Sequence, residues 1–297
     1  MSLSARTESD TLATRRLGKT GEDVPILGLG TAPGGFGLDD FSAIDLIHAA
    51  IDHGITYLDT APGYDRAQIQ LGEVMPSRRD EVFLVTKAHT ANGKKAVEIL
   101  EQSLRDMRTD AADLTFVHSV GHLDVDELLA ADGAFAGLRE AQRRGLTRYI
   151  GFTAHHMPAK SERVLRELDI DAVMFAMNFA DKHTYDFQGA PLTLARQADV
   201  GVAAMKVYGG APEQKYDVPT RSLMSQTGQD HGDALHYALS LEGVATSVVG
   251  MYTVEEIEEN VGYARSWPER GVEDLIQREA LGAPLASDWG AHFGEVS

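Results

Sequence analysis

Four residues in the first half of the chain carry complementary acid–base chemistry: Asp59, Tyr64, Lys87 and His118. Each lies at or just past the end of a short apolar run, in Leu58-Asp59-Thr-Ala-Pro-Gly-Tyr64, Val85-Thr86-Lys87 and Phe116-Val117-His118. An acid, a phenol, an amine and an imidazole brought to one rim can protonate a carbonyl oxygen while a hydride reaches its carbon. A free phenol is too weak an acid for that at neutral pH, with a pKa of ~10. An ammonium about 4 Å away stabilises the phenolate by roughly 4 kcal/mol at an effective dielectric of about 20, equivalent to about 3 pKa units. Lys87 can therefore tune Tyr64 into a general acid, with Asp59 holding Lys87 charged and in place. His118 can donate a hydrogen bond that orients the carbonyl oxygen.

Taken singly, three of the four have structural readings. Asp59 could accept hydrogen bonds from loop amides, Tyr64 could pack as a loop aromatic, and His118 could be a satisfied core histidine. Lys87 resists such a reading, because an ammonium after a buried strand needs an anion or water close by. Asp59, on the neighbouring strand, is the evident partner. The set supplies proton chemistry and no hydride, so a reductant must come from a cofactor.

These residues need a scaffold that brings strand ends together. Short β-rich runs occur at 26–28, 56–58, 82–86, 114–117, 149–152, 172–175, 202–205 and 246–249, without clean alternation, as parallel strands covered on both faces require. Between and after them lie helical windows near 41–53, 68–75, 94–108, 134–144, 159–168, 192–198, 233–240 and 254–264. Gly54 and Gly145 stand where helices end. Eight strands alternating with eight helices predict an α/β fold, a closed (β/α)8 TIM barrel. No strand is followed by the glycine-rich phosphate fingerprint of an open sheet. Ahead of the first strand, residues 15–26 read as an N-terminal β-hairpin turning at Lys19-Thr20-Gly21, placed to plug the barrel floor. Residues 1–14 read as a flexible tail, and 15–297 as one barrel domain with a C-terminal tail.

Composition narrows the partners. Hydrophobic residues make up 43% and charged residues 24% of 297, a mix able to bury a large core. The net charge of −18 repels phosphate backbones and anionic lipid, so no nucleic acid and no membrane is expected as a partner. Cysteine is absent, which removes disulfides, thiolate metal sites and cysteine nucleophiles. The opening stretch lacks the basic and apolar regions of a signal peptide, and no run is long and apolar enough to span a bilayer. The expected location is cytoplasmic.

With these residues in view, the chain resembles the aldo-keto reductase family. The matching stretches are Gly28-Leu-Gly-Thr31, Asp59-Thr-Ala-Pro-Gly-Tyr64, Val85-Thr-Lys87, His118, Arg148-Tyr-Ile-Gly-Phe152 and Glu258-Glu-Asn260, in order and across nearly the whole barrel. The resemblance implies a NAD(P)H-dependent carbonyl reductase whose catalytic residues are Asp59, Tyr64, Lys87 and His118. It further implies cofactor contacts at Gly30, Thr31, Thr153, Asn178, Met205, Lys206, Tyr208, Gly250, Met251, Glu256, Glu259 and Asn260.

Several positions depart from the family pattern. Where the family commonly reads Ser-Asn and then Gln to hold the nicotinamide carboxamide, this chain has Thr153, Ala154 and Met174, with His155 and Asn178 as candidate substitutes. Where it often places a tyrosine against the nicotinamide, this chain has Met205-Lys206, a variant in which Met205 would form an apolar floor. Tyr208-Gly-Gly210 offers backbone amides toward the pyrophosphate, or a flexible loop. The Lys-Ser pair and Arg that clamp the 2′-phosphate in NADPH-using relatives correspond to Gly250, Met251 and Glu256, so NADH is expected to serve at least as well as NADPH.

Two other readings stay open on sequence alone. One is a metal-dependent barrel hydrolase using His118, His122, His155 and His156. The other is a non-catalytic barrel that keeps the cofactor and acts as a sensor or regulatory subunit. The substrate, a small carbonyl compound or sugar, should be selected by residues 119–132, residues 208–232 and the tail from 266, which carry His122, Tyr216, Trp267 and Trp289. Both tryptophans could equally pack against the barrel. Oligomeric state and favoured direction are not encoded in any motif.

Overall fold

A computed structural model describes residues 12–216, 221–267 and 272–297. Most of the expected N-terminal tail lies outside the described residues, but Leu12 is already buried and Thr14 begins the first strand. Strands β1 (Thr14–Arg16) and β2 (Asp23–Pro25) pair antiparallel, with Thr14 opposite Pro25, and form the expected hairpin. Its turn is a 3-10 helix over Gly18–Thr20, ended by Gly21 at φ 74.

Eight parallel strands then close on themselves: β3 (Leu27–Gly30), β4 (Tyr57–Asp59), β5 (Phe83–Ala88), β6 (Ala112–Val117), β7 (Thr147–Ala154), β8 (Ala172–Ala176), β9 (Gly201–Met205) and β10 (Val244–Gly250), with β10 pairing back to β3. The barrel predicted from the strand–helix alternation is present. Nearly every strand residue is buried, because helices cover one face and the barrel interior the other.

The helices that wrap it are α2 (Asp40–Asp52), α3 (Ala67–Arg78), α4 (Gly93–Asp106), α6 (Ala134–Arg143), α7 (Pro158–Glu167), α8 (Ala190–Gln197), α10 (His231–Ser240) and α11 (Val254–Arg265), within a few residues of the predicted windows. Side-chain caps explain several starts: Asp39, Asn92, Asp230 and Thr253 each accept a first-turn amide. Three short helices were not legible: α1 (Ala32–Gly37), written Ala-Pro-Gly-Gly-Phe-Gly, α5 (Val125–Leu129) and α9 (Leu223–Gln226).

Apolar packing divides into two layers. Tyr57, Phe83, Val85, Leu114, Phe116, Met174, Met205 and Val248 fill the barrel interior, joined by Leu17 and Val24 from the hairpin. The interior is therefore a packed core closed at the bottom by the hairpin, and only the top is open to chemistry. A second, larger cluster lies between strands and helices.

The tail from 266 differs from a simple loop. Helix α12 (Val272–Trp289) packs on residues 181–183, where His183 Nε2 bonds the carbonyl of Glu279 at 2.6 Å. The approach is closest at Gly282, where an added Cβ would lie 1.9 Å from the Phe179 carbonyl oxygen. Beyond α12 the chain turns back toward the barrel top, and Phe293 is buried at 3% exposure. Trp267 takes the packing role: Arg15 lies over its ring at 4.3 Å and its Nε1 donates to Ser240.

Candidate active site

Register explains why the four candidate residues meet. Asp59 pairs with Val85, and Lys87 lies two residues further along β5, so Asp59 and Lys87 project to the same interior side. Both are almost wholly buried. Lys87 Nζ donates to Asp59 Oδ1 at 2.5 Å, to the Thr60 carbonyl at 2.9 Å and to the Tyr64 hydroxyl at 3.3 Å. All three ammonium protons have acceptors, which is what a buried lysine requires if it is to stay charged. Burial drives the Lys87 pKa down, but the charges of Asp59 and Tyr64 outweigh it, and the net direction is upward.

Tyr64 reaches this point on the loop after β4, its ring 4.8 Å from Lys87 Nζ and edge-on to the His118 ring at 6.1 Å. His118 follows β6, and its backbone amide bonds the Ala88 carbonyl, which ties the ends of β5 and β6 together. Burial first, then the charge of Lys87, pushes the His118 pKa well below its ordinary value. The imidazole is therefore neutral near pH 7, able to donate a hydrogen bond without carrying charge.

A cavity opens beside these groups. It is lined by Asp59, Tyr64 and His155, by the apolar Met174, Met205 and Val248, and by Gly30, Gly210 and Gly250. Gly210, at φ 74, lines it where a side chain would be strained. An apolar floor with a glycine-edged rim suits a flat ring joined to phosphates. Of the expected cofactor contacts, Gly30, Met205, Lys206, Tyr208 and Gly250 line this cavity.

Others serve structural bonds. Thr31 donates to the Asp59 carbonyl, and Thr153 Oγ1 accepts the Ser119 amide. Asn178 is buried, giving its amide hydrogens to Asp181 and to the Lys206 carbonyl and accepting the amides of Ala180 and Asp181. With those bonds made, it has no hydrogen left to offer a carboxamide. Met251 is buried. Asn260 accepts the Tyr208 hydroxyl and donates to the Glu256 carbonyl. Glu259 is exposed and accepts the Tyr263 hydroxyl at 2.6 Å. The Glu256 carboxylate accepts the Tyr252 amide at 2.6 Å, while Thr253 caps the Glu256 amide, a reciprocal arrangement that starts α11.

His155 sits on the cavity wall with Nδ1 3.2 Å from Ser119 Oγ and its ring 5.7 Å from Phe293. Tyr216 and Ser222 come from residues 208–232, and residues 217–220 of that stretch lie outside the described residues. Pro33 and Tyr252 also line the cavity and had no signal in the sequence, since each acts only by where the fold puts it.

Comparison with known proteins places this geometry. The model of the aldo/keto reductase family matches residues 26–268. The chain belongs to that family. It is 25% identical to the uncharacterized oxidoreductase YqkF of Bacillus subtilis, over 85% of this chain and 91% of that protein. The crystal structure of PA4992, a candidate aldo-keto reductase from Pseudomonas aeruginosa, superposes with a TM-score of 0.70 at 28% identity, covering 86% of this chain and 97% of that one. An aldo/keto reductase of Klebsiella pneumoniae, solved with NADP and acetate, shares the fold with a TM-score of 0.72 at 22% identity, over 91% of this chain and 95% of that chain.

As a family member the chain is an NAD(P)H-dependent oxidoreductase that interconverts an aldehyde or ketone and an alcohol. That membership favours neither the metal-dependent hydrolase nor the non-catalytic sensor. Among the described residues, no three His, Asp or Glu side chains are arranged to hold a metal ion. No described helix is long and apolar enough to cross a membrane.

Proposed function

We propose that Tyr64 is the proton donor and acceptor of the reaction, with Lys87, Asp59 and His118 shaping its chemistry. The observation that carries this is the buried ammonium of Lys87, 3.3 Å from the Tyr64 hydroxyl and 2.5 Å from Asp59 Oδ1. When Tyr64 gives its proton to a carbonyl oxygen, the negative charge left behind faces a fixed positive charge in a dry site, where such attraction is strong. Asp59 keeps that positive charge in place. His118, neutral and edge-on to Tyr64, donates a hydrogen bond to the same carbonyl oxygen and fixes its approach.

The bound nicotinamide would supply or accept the hydride at the carbonyl carbon. Met205, Met174 and Val248 would bear against it, while Gly30, Gly210 and Gly250 leave room for the rest of the cofactor. The chain acts as one catalytic domain on small carbonyl compounds or sugars, in the cytoplasm and without nucleic acid. NADH serves at least as well as NADPH, because the Glu256 carboxylate stands near the start of α11 in place of a clamping cation.

Oxidation of NADH or NADPH by the purified protein with a panel of aldehydes, ketones and sugars tests the reading. Tyr64→Phe should remove turnover by about 10² to 10⁴-fold while cofactor still binds. Unchanged turnover in that variant would end the mechanism.

A further inference from the structure

Lys206 supplies an ammonium to the cavity wall. It follows β9 at φ 56, a left-handed backbone conformation that strains a non-glycine residue. Two bonds hold it there: its carbonyl accepts the Gly209 amide at 2.8 Å and Asn178 Nδ2 at 3.0 Å. The side chain lines the same cavity as Asp59, Tyr64 and His155.

Its ammonium bonds the Tyr216 hydroxyl at 2.5 Å, and it lies 4.9 Å from the Tyr216 ring and 5.9 Å from the Phe293 ring. No carboxylate of the described residues pairs with it. Among the described residues, the other titratable groups at the mouth carry little net charge. Asp59 and Lys87 neutralise each other. His118 and His155 are held neutral, each by burial first and with the Lys206 charge contributing. Asp181 is buried behind the wall with its pKa raised by burial to about 7, so near neutrality it supplies only a partial charge. The cavity is thus a positive spot in a chain of net charge −18, an arrangement that draws an anion to one place.

We propose that Lys206 is a specificity-determining residue that selects carbonyl substrates bearing a carboxylate, with the Tyr216 hydroxyl occupying the ammonium until substrate arrives. This rests on the carbonyl-reductase reading above. The cofactor's phosphates are the rival anion. Against them, the Lys206 charge acts on His118 and His155, and its ammonium lies 5.9 Å from the Phe293 ring, which is itself 5.7 Å from the His155 ring beside His118. Gly210, on the cavity rim, offers backbone to phosphate instead.

The test compares 3- and 4-carboxybenzaldehyde with their methyl esters, which keep the shape and lose the charge, in the wild type, Lys206→Met and Lys206→Arg. Cofactor affinity is read in parallel by fluorescence quenching. The wild type should favour the acids, and the acid-to-ester ratio of kcat/KM should fall roughly 10- to 100-fold in Lys206→Met, the weight of a charge-assisted hydrogen bond. Lys206→Arg should recover much of the ratio. An unchanged ratio overturns the proposal, whether acid and ester decline together or the loss appears in cofactor affinity. If the wild type turns over none of these aldehydes, the catalytic reading is what fails. Calorimetric binding of 4-(hydroxymethyl)benzoate against its methyl ester, with oxidised cofactor present, then reads the same ratio without chemistry, and equal affinities overturn the proposal.

Discussion

Asp59 and Lys87 form an ion pair whose side chains are only 5% and 1% exposed, with Nζ 2.5 Å from Oδ1. Taking both charges out of water is costly, and attraction repays that cost only when each partner is present. The pair therefore serves the site more than the fold. Removing one member should hurt stability, and removing both should restore it without restoring activity. Asp59→Asn or Lys87→Met alone should lower unfolding free energy by about 3 to 5 kcal/mol. The Asp59→Asn/Lys87→Met double variant should be more stable than either single one and still inactive. Denaturant midpoints alongside turnover give the answer, and purely additive losses would contradict this account.

The neutral imidazole of His118 predicts a flat stretch in the pH profile. Its pKa is pushed well below the ordinary value by burial, then by Lys87 and neighbouring groups. No histidine-type limb should appear in kcat/KM between about pH 6 and 8, the range where an unperturbed histidine titrates. A limb in that range that vanishes in His118→Gln would show a protonated imidazole at work.

The proposed cofactor preference rests on Glu256. Its carboxylate accepts the Tyr252 amide at 2.6 Å and stands at the first turn of α11. Equilibrium titration should find NADH bound at least as tightly as NADPH, and a hundredfold preference for NADPH would refute the expectation. Glu256→Arg should move the NADPH-to-NADH affinity ratio upward by about tenfold or more. The same change should cost about 1 kcal/mol of stability from the lost hydrogen bond to the Tyr252 amide.

Asp181 gives stability a pH dependence of defined sign. Its pKa is raised to about 7, by burial first, with the Asn178 hydrogen bond and the Lys206 charge opposing. His292 Nε2 lies 3.6 Å from Oδ1. The folded protein keeps this proton up to about pH 7, whereas the unfolded chain releases it near pH 4. The contribution is fully present below the unfolded pKa and is lost as pH rises from about 4 to about 7, on the order of 4 kcal/mol. Asp181→Asn should therefore gain stability relative to the wild type between pH 5 and pH 8. His292, with its pKa lowered to about 4 by burial and then Lys206, runs the opposite way and loses stability as pH falls from about 6.5 to 4. Parallel melting curves for wild type and Asp181→Asn at both pH values would show that the carboxyl titrates normally.

Leu17 tests the floor of the barrel. It is fully buried and packs with the interior cluster, where an added Cβ on Gly201 would lie 2.7 Å from its Cγ. Leu17→Ala should cost about 2 to 5 kcal/mol. Because the site is at the other end, kcat and KM at 25 °C should stay near wild type. A large loss of activity in protein that remains folded would mean that the floor and the mouth are coupled.

The barrel was legible because its signals are local. Eight apolar runs, glycines at helix ends and polar caps at helix starts each constrain a few neighbouring residues, and their alternation leaves few ways to bury them all. The residues Asp59, Tyr64, Lys87 and His118 could be named for the same reason, since each stands at or just past a strand end and parallel strands end on one rim. Helix α12 was not anticipated, because its many exposed positions and Pro284 blur the apolar stripe that marks a helix.

The residues of the chain determined the strands, most of the helices and which side chains stand at the strand ends. Only the folded molecule decided how those ends are used. Interior packing sends Thr31, Asn178 and Asn260 into structural hydrogen bonds, commits Glu256 to a helix start and leaves Lys206 facing the cavity with no carboxylate of the described residues paired to it. A residue's type sets what it can bond to, whereas the partners it meets come from segments far along the chain. Strand register and loop closure bring those segments together, and neither is written in any local stretch.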